Sequence, residues 1–275
     1  YRPIPIFLTR NEQEHKLYNI PVKILLKENA DDIKEKAEKY EIHPALKYIV
    51  QKCSQITKKY SNQIVKPKRI TYGELAKMAD VVFIALHGRP GEDGAVQAQL
   101  EKAGLPYNGS DVKSSQTTID KFRTNEILRE NGFLVADHLL VTEEDWNNRK
   151  EKLIAEINAK IKIPFIAKPV DDGCSSAVRK IKSVEDLEAF AKLIFRKKEE
   201  LDEVSSKRLN IKPKEEFPRK AIFLAEELIV RKDAKRFLEI TGGMLTRFNP
   251  NGELQYEVFE ASEIVSEGEV LSLEE

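Results

Sequence analysis

Cysteine is scarce in this sequence, and long hydrophobic runs are absent from it. Two cysteines among 275 residues, Cys53 and Cys174, cannot build the disulfide framework of a small secreted domain. No apolar run reaches the roughly 20 residues that a membrane-spanning helix needs, and the first residues do not resemble a signal peptide. The sequence therefore predicts a cytoplasmic protein.

Neither sign of charge predominates. Lys+Arg and Asp+Glu each number 46, so the formal net charge is zero. A balanced chain has no general attraction for nucleic acid or for an anionic membrane, and neither is expected as a partner, although a local basic patch is compatible with this balance. A hydrophobic content of 41% and a charged content of 33% are typical of a globular protein with one large or two ordinary domains. Because the chain starts at Tyr1 and stops at Glu275 without a cap, we expect a fragment of a longer protein.

The motifs of several large enzyme classes are also missing. The sequence contains no GxxxxGK[ST], no GxGxxG and no GxSxG, which are typical of P-loop proteins, dinucleotide-binding folds and serine hydrolases. It has no HExxH and no paired cysteines, and its four histidines do not predict a metal site. A nucleotide site in this chain must therefore use other residues.

One stretch, DVVFIALHGRPGEDG at 80–94, carries a stronger signal. The apolar run at 81–86 is typical of a buried parallel strand, and it ends in His87, three glycines and two acids. In a purely structural interpretation the glycines permit a sharp turn, and Glu92 and Asp93 suit the N-terminus of the next helix. In a functional interpretation the stretch is a ligand-binding loop at the carboxyl end of a strand, where open α/β sheets place their sites.

Strands and helices alternate along the first part of the chain, which predicts an α/β domain with a parallel, Rossmann-like sheet. Apolar residues at helical spacing between 46 and 56 mark one face of a helix, which we expect to be core, with Cys53 as a buried thiol. TYGE at 71–74 is a capping box. The predicted elements are strands at 4–8 and 22–26, a helix over 30–61, and a helix that ends at Ala103 before Gly104.

A second unit begins near Thr118. Charged residues at 196–216 have almost no apolar periodicity, which favours a mobile surface insertion, with a basic flap over a ligand as the alternative. The predicted features are helix caps at Asp120, Thr142 and Ser183, a strand at 164–169, a small-residue loop at 171–177, a return strand at 178–181, a strand at 221–230, and a turn, NPNG, between two β runs.

Two lysines lie at positions where a positive charge is expected to need water or an anion nearby. Lys121 lies at a helix start after TTID, and Lys168 ends an apolar strand. Such an ammonium costs free energy unless it reaches water or an anion, and the loop at 171–177 offers N–H groups and hydroxyls that can hold phosphates. Taken singly, each lysine is compatible with simple solvation, and Glu226 and Glu227 are compatible with charges that protect a sheet edge.

The order of the motifs resembles one family. The chain carries ALHGRPGEDGAVQAQLEKAGLPYNGS, TTIDKFRTNEIL, PFIAKPVDDGCSS and FLAEELIV in the order found in D-alanine–D-alanine ligases of the ATP-grasp superfamily. The stretch 81–110 is the most specific part of the resemblance. The resemblance implies an N-terminal α/β, pre-ATP-grasp domain at 1–117 whose first strand would precede Tyr1, a central α+β ATP-grasp subdomain at 118–232, and the start of a C-terminal subdomain at 233–275.

What the resemblance implies is an ATP-dependent ligase that joins a carboxylate to an amine through an acyl phosphate, as in peptidoglycan and cell-wall synthesis. ATP and magnesium would be the cofactors, small amino acids the substrates, and a homodimer the assembly. Cations are needed along the triphosphate. By similarity, the phosphate-binding residues would be Lys121, Lys168, Gly173, Cys174, Ser175 and Ser176, the adenine-binding residues Glu226, Glu227, Leu228 and Ile229, and the substrate-side residues His87 and Gly88, with Lys168, His87, Cys174 and Ser175 as the catalytic candidates.

The phosphate loop departs from the family pattern. Such ligases usually have Gly-Ser-Ser-x-Gly, whereas this chain has GCSSA at 173–177. Cys174 replaces a serine on the substrate side, and Ala177 replaces a flexible glycine. The family's magnesium ligands and a substrate-binding arginine would follow Glu275, so the fragment alone is expected to be inactive.

Two alternatives to a D-alanine ligase stay open at this point. One is a ligase for other amino acids or peptides, and the other is a non-catalytic ATP-binding or regulatory module. Acidic metal ligands farther along the chain would distinguish a ligase from a binding module.

Overall fold

Antiparallel strand pairing organises both parts of the chain. The chain divides into two compact units, Tyr1–Ser115 and Gln116–Glu275. The structure, a computed structural model, describes residues 2–10, 14–27, 29–39, 43–60, 66–173, 177–212, 215, 217–230 and 238–264.

The first unit combines a three-stranded sheet with short helices. Its elements are β1 (Ile6–Arg10), β2 (His15–Asn19), α1 (Val22–Lys27), α2 (Ala30–Glu38), a 3-10 turn (Pro44–Leu46), α3 (Lys47–Tyr60), β3 (Lys68–Ile70), α4 (Tyr72–Leu75), α5 (Ala95–Lys102) and α6 (Val112–Thr118), which crosses the boundary between the units. The strand order is β1-β2-β3. Thr71 and Glu74 form the predicted capping box at α4, and Gly104 follows α5 with a positive φ of 70°.

The predicted strand at 22–26 is wrong, because these residues form α1. The N–H of Ile24 donates to the carbonyl of Pro21 at 2.9 Å, so the helix starts at the proline. Proline suits the start of a helix, where its missing N–H costs nothing. A short apolar run has no periodicity that could distinguish a strand from a helix.

The prediction that the apolar face of α3 is core is also wrong. Ile49 and Ile56 are 55% and 59% exposed, and Cys53 is exposed as well. Helical spacing shows that a helix has an apolar stripe, but it does not show which element covers the stripe. The predicted single helix over 30–61 is also divided, since a 3-10 turn at Pro44–Leu46 precedes α3.

The predicted interior parallel strand at 81–86 does not form, and the parallel, Rossmann-like sheet is not observed. Val82 makes an isolated parallel bridge to Tyr107, and the N–H of Ile84 donates to the side chain of Asn108 at 2.6 Å. Every strand ladder in the described ranges is antiparallel. The run has the composition of a buried strand, but a ladder also needs a neighbouring strand, and composition cannot supply one.

The turn after this run has the predicted form. Gly88 and Gly94 have φ of 63° and 84°, which glycine adopts without steric cost. A Cβ added to Gly91 would lie 2.4 Å from the Cβ of a neighbouring leucine. Asp93 accepts a hydrogen bond from the N–H of Ala95 at 3.0 Å, so the prediction of an acid at the start of the next helix is confirmed.

The second unit is built on a four-stranded sheet. Its elements are α7 (Lys121–Glu130), β4 (His138–Thr142), α8 (Glu143–Lys160), β5 (Phe165–Pro169), β6 (Arg179–Ile181), α9 (Val184–Ile194), α10 (Glu203–Arg208), β7 (Ile222–Glu227), β8 (Glu239–Thr241), β9 (Met244–Phe248), β10 (Leu254–Val258) and β11 (Ser262–Ile264). The main sheet has the order β4-β7-β5-β6. The predicted turn at 249–252 joins β9 to β10, which pair with each other.

Helix caps and an aromatic core hold this unit together. Asp120, Thr142 and Ser183 each accept a hydrogen bond from a backbone N–H three residues on, as predicted. Phe190 on α9 is fully buried and packs edge-to-face against Phe223 of β7, with ring centroids 5.0 Å apart. Helix α9 therefore packs against one face of the sheet.

The charged stretch at 196–216 is packed against this core in its described part. It contains α10, and Leu209 and Phe217 beside it are buried in the same hydrophobic cluster. The interpretation as a loose surface insertion is therefore wrong for these residues. A few apolar side chains suffice to dock a mostly charged segment, and their spacing is too irregular to give a periodic signal.

Candidate functional site

Side chains alternate between the two faces of the main sheet along β5 and β7, and polar side chains lie on one of these faces. On β5, Phe165 and Ala167 are fully buried on the core side. Residues two apart share a face, so Ile166 and Lys168 lie on the opposite side. Ile166 pairs with Glu226 across the two strands. Glu226 and Lys168 therefore share one face of the sheet.

Lys168 and Glu226 form an ion pair on that face. The Nζ of Lys168 lies 2.5 Å from Oε2 of Glu226, and the side chains are 19% and 17% exposed. Asn125 on α7 donates to the other carboxylate oxygen of Glu226 at 3.1 Å. The sequence predicted both members of the ion pair as site residues, whereas it assigned no role to Asn125, although Asn125 lies in the same motif as Lys121.

Lys121 stands beside this pair at the start of α7. Its backbone N–H donates to the carbonyl of Val170 at 2.9 Å, and its Nζ donates to the carbonyl of Asp172. Burial lowers the pKa of Lys121, and the positive charge of Lys168 lowers it further. A partly desolvated ammonium next to a second cation is an arrangement that a bound anion would stabilise.

Lys220 is a third cation at the site, and sequence reasoning missed it. Its Nζ lies 2.9 Å from Oδ1 of Asp171 and 2.9 Å from Oδ1 of Asp172. Burial acts to lower the pKa of Lys220, but the hydrogen bonds to the two aspartates outweigh it and raise the pKa. The charge of Lys220 is thus matched within the protein. The strand register could have indicated this contact, because Lys220 precedes β7, the two aspartates follow β5, and these two strands pair antiparallel.

The predicted phosphate loop starts next to these lysines. Gly173 follows Asp172 directly, whereas residues 174–176, which include Cys174, Ser175 and Ser176, lie outside the described residues. Ala177 closes the loop with a φ of 52°. That left-handed conformation favours glycine, which is the residue that the family pattern has there.

The predicted adenine-binding segment continues from β7. The N–H of Glu227 donates to the carbonyl of Asp137 at 2.7 Å. Leu228 is half-buried, and Ile229 is 64% exposed. An exposed apolar edge next to the carboxylate of Glu226 offers both a surface for a flat ring and an acceptor for an amino group.

His87 lies in the first unit and is exposed. The roles of His87 and Gly88 on the side of the substrate stay predictions. The described residues hold no group of three or more His, Cys, Asp or Glu side chains that could bind a metal ion. No helix among them combines the length and the apolar composition that crossing a membrane requires.

Two family models match the chain. The model described as "D-ala D-ala ligase N-terminus" matches residues 1–110, and the model described as "D-ala D-ala ligase C-terminus" matches residues 127–202. Together they cover more than half of the 275 residues.

Individual relatives carry the same name. The chain is 33% identical over 153 residues to D-alanine–D-alanine ligase A of Escherichia coli K12, covering 56% of this chain and 40% of that protein. It is 37% identical over 131 residues to the D-alanine–D-alanine ligase of Haemophilus influenzae, covering 47% of this chain and 43% of that protein. The aligned part therefore spans less than half the length of these curated relatives.

Solved structures of the same kind align with the chain as well. The D-alanine–D-alanine ligase of Coxiella burnetii aligns with a TM-score of 0.48 and 24% identity, over 68% of this chain and 42% of that one. The enzyme of Bacillus anthracis aligns with a TM-score of 0.45 and 24% identity, over 70% of this chain and 57% of that one. On the matches of the two family models and the curated relatives, the chain belongs to the D-alanine–D-alanine ligase family.

Proposed function

We propose that the whole protein is an ATP-dependent carboxylate–amine ligase that forms a peptide bond between two small amino acids, since its relatives are named D-alanine–D-alanine ligases. The observation that carries the proposal is the lysine cluster, defined as Lys121, Lys168 and Lys220, at the start of the predicted phosphate loop. The family match supports the same conclusion independently.

In the proposed reaction a substrate carboxylate attacks the γ-phosphorus of ATP, which gives an acyl phosphate and ADP. The amine of the second amino acid then attacks the acyl carbon, the C–N bond forms, and inorganic phosphate leaves. The carboxylate and the triphosphate repel each other, so the site must supply positive charge where they meet. Lys121 and Lys168 are the candidates for that charge, because the desolvated Lys121 ammonium would gain from an anionic partner.

The base of ATP would lie against the edge formed by Leu228 and Ile229. The carboxylate of Glu226 would accept from the exocyclic amino group, while Asn125 and Lys168 hold that carboxylate in place. Magnesium, which the family uses in general, would add charge neutralisation on the triphosphate. Because the described residues contain no metal-binding cluster, the roles assigned to this chain are those of its own side chains.

The test of the proposal is ATP binding by the Lys168→Ala variant of the full-length protein. Loss of a charge-assisted hydrogen bond to phosphate should weaken binding by about 1–3 kcal/mol in calorimetry. Lys192→Ala is the matched control, since Lys192 pairs with Asp202 at 2.7 Å on the surface and is 61% exposed. Unchanged ATP affinity in Lys168→Ala would mean that Lys168 pairs with Glu226 but does not contact phosphate. The same test applies to Lys121.

A second candidate within the same chemistry is a ligase for other amino acids. The loop sequence GCSSA favours it, because a cysteine replaces a serine on the side of the substrate. Phosphate release from ATP with D-alanine, compared with release for a panel of other amino acids and dipeptides, separates the two candidates. Phosphate release with none of them, together with intact ATP binding, would instead indicate a binding module.

A further inference from the structure

We propose that Lys220 is a positioning residue that neutralises Asp171 and Asp172, so that an anionic triphosphate can bind beside Lys121 and Lys168. The inference rests on the proposed function, since it specifies how the phosphate site of that ligase tolerates two adjacent acids. None of the sequence motifs contains Lys220.

The strand register brings these three residues together. The ladder between β5 and β7 ends at the pair Pro169 and Phe223. Continuing the antiparallel count by three residues sets Asp172 opposite Lys220. The backbone N–H of Lys220 donates to the carbonyl of Ile194 at the end of α9, at 2.8 Å. Lys220 is therefore fixed at its backbone by α9 while its Nζ reaches both aspartates at 2.9 Å.

Charge balance gives the reason for the contact. The lysine cluster supplies three positive charges, and Glu226, Asp171 and Asp172 supply three negative charges, so these six groups sum to zero. Without Lys220 they sum to −1, and both aspartates lose a cation that lies 2.9 Å away. The side chains of the three residues are 22–31% exposed, so solvent screens these charges only in part. A negative site would repel a triphosphate, whereas a neutral one leaves Lys121 and Lys168 able to attract it.

The experiment measures the Kd for ATP of four variants of the full-length protein by calorimetry. Lys220→Met should raise Kd about tenfold, whereas Lys220→Arg, which keeps the charge, should stay within about threefold of the natural protein. The triple variant Lys220→Met, Asp171→Asn and Asp172→Asn should bind ATP at least as tightly as the natural protein, because its six groups sum to +1 and those of the natural protein sum to zero. Lys192→Met, which removes a surface lysine–aspartate pair, should change nothing.

Salt separates a charge effect from a packing effect. The Debye length falls from about 10 Å at 0.1 M to about 3 Å at 1 M ionic strength, so the deficit of Lys220→Met should shrink at high salt. A deficit that is the same at both salt concentrations and is not rescued in the triple variant would overturn the inference and leave Lys220 as a packing residue.

Three further outcomes have defined meanings. If Lys220→Met does not fold, as judged by circular dichroism, the variant Asp171→Asn and Asp172→Asn replaces it, and equal or tighter ATP binding supports the inference while weaker binding overturns it. If the natural protein binds no ATP, both the proposed function and this inference are wrong. If the natural protein binds ATP and Lys220→Met binds equally well, the inference alone fails.

Discussion

Lys121 and Lys220 are partly buried lysines of one site, yet their pKa values shift in opposite directions. Lys220 has two carboxylates within 2.9 Å, and its pKa is raised. Lys121 donates to a backbone carbonyl, and burial, followed by the positive charge of Lys168, lowers its pKa. The two cations therefore have different roles. The positive charge of Lys220 is already stabilised by the two aspartates, whereas a bound anion would stabilise the positive charge of Lys121.

Lys121→Met should therefore make the ligand-free protein more stable and bind ATP less well. Because the pKa of Lys121 is lowered in the folded state, the protonated lysine costs folding free energy at any pH below that pKa. We expect the melting temperature to rise by about 1–3 °C, on the scale of 2–4 °C per kcal/mol for a unit of this size. Differential scanning fluorimetry without ligand measures this, and calorimetry measures the loss of ATP affinity.

The pH dependence has a defined sign. The pKa of Lys121 is lower in the folded chain than in the unfolded chain, so the folded lysine loses its proton first as pH rises. The loss of charge removes the cost of burial from the natural protein. The difference in melting temperature between Lys121→Met and the natural protein should therefore become smaller by about pH 10. A melting temperature that falls in Lys121→Met would show that the bond to the Asp172 carbonyl outweighs the cost of burial. Lys192→Met serves as the control for removing an exposed lysine.

At the scale of elements, the helix that follows β4 depends on a cap that the sequence predicts. The hydroxyl of Thr142 accepts from the N–H of Asp145 at 3.0 Å and donates to its carboxylate at 3.0 Å. Thr142→Ala removes both bonds and should lower the free energy of unfolding by about 1 kcal/mol. Urea denaturation measures this change, and Thr142→Ser, which keeps a hydroxyl, should lose less than half as much. Equal losses in the two variants would assign the effect to the methyl group.

Helix caps could be predicted because they depend on residues close together in the sequence. Strand pairing could not be predicted, since it depends on residues far apart in the sequence. Asp120, Thr142 and Ser183 each act within three residues, so the sequence alone specifies them. The run at 81–86 has strand composition, but whether it pairs depends on a partner far away in the chain. The segment 22–26 shows the remaining ambiguity, since five residues of which four are apolar suit a helix as well as a strand.

The candidate site follows the same division. Lys121, Lys168 and Glu226 lie in motifs, and the sequence predicted them as a set. Lys220 lies outside every motif and reaches the site through the register of β5 with β7. Asn125 lies in the same motif as Lys121, but only the position of α7 brings it to Glu226. Both contacts could be found only once the structure was known.

At the scale of the whole molecule, each unit carries one cysteine. Cys53 lies on the exposed face of α3 in the first unit. Cys174 belongs to the second unit and directly follows Gly173 in the predicted phosphate loop. Two thiols in separate units can therefore report where a ligand binds without any measurement of activity.

ATP should protect Cys174 from alkylation and leave Cys53 unaffected. At an ATP concentration ten times Kd about one site in eleven is open, so the modification of Cys174 by iodoacetamide should slow about tenfold if the loop covers phosphates. Peptide mass spectrometry over a time course gives both rates in one sample, and Cys53 is the internal control. Lys168→Ala should lose the protection at the same ATP concentration, because a higher Kd leaves more sites open. Slower modification of both cysteines would indicate a change that extends beyond the loop, and an unchanged rate at Cys174 with ATP bound would contradict the assignment of residues 173–177 to the triphosphate.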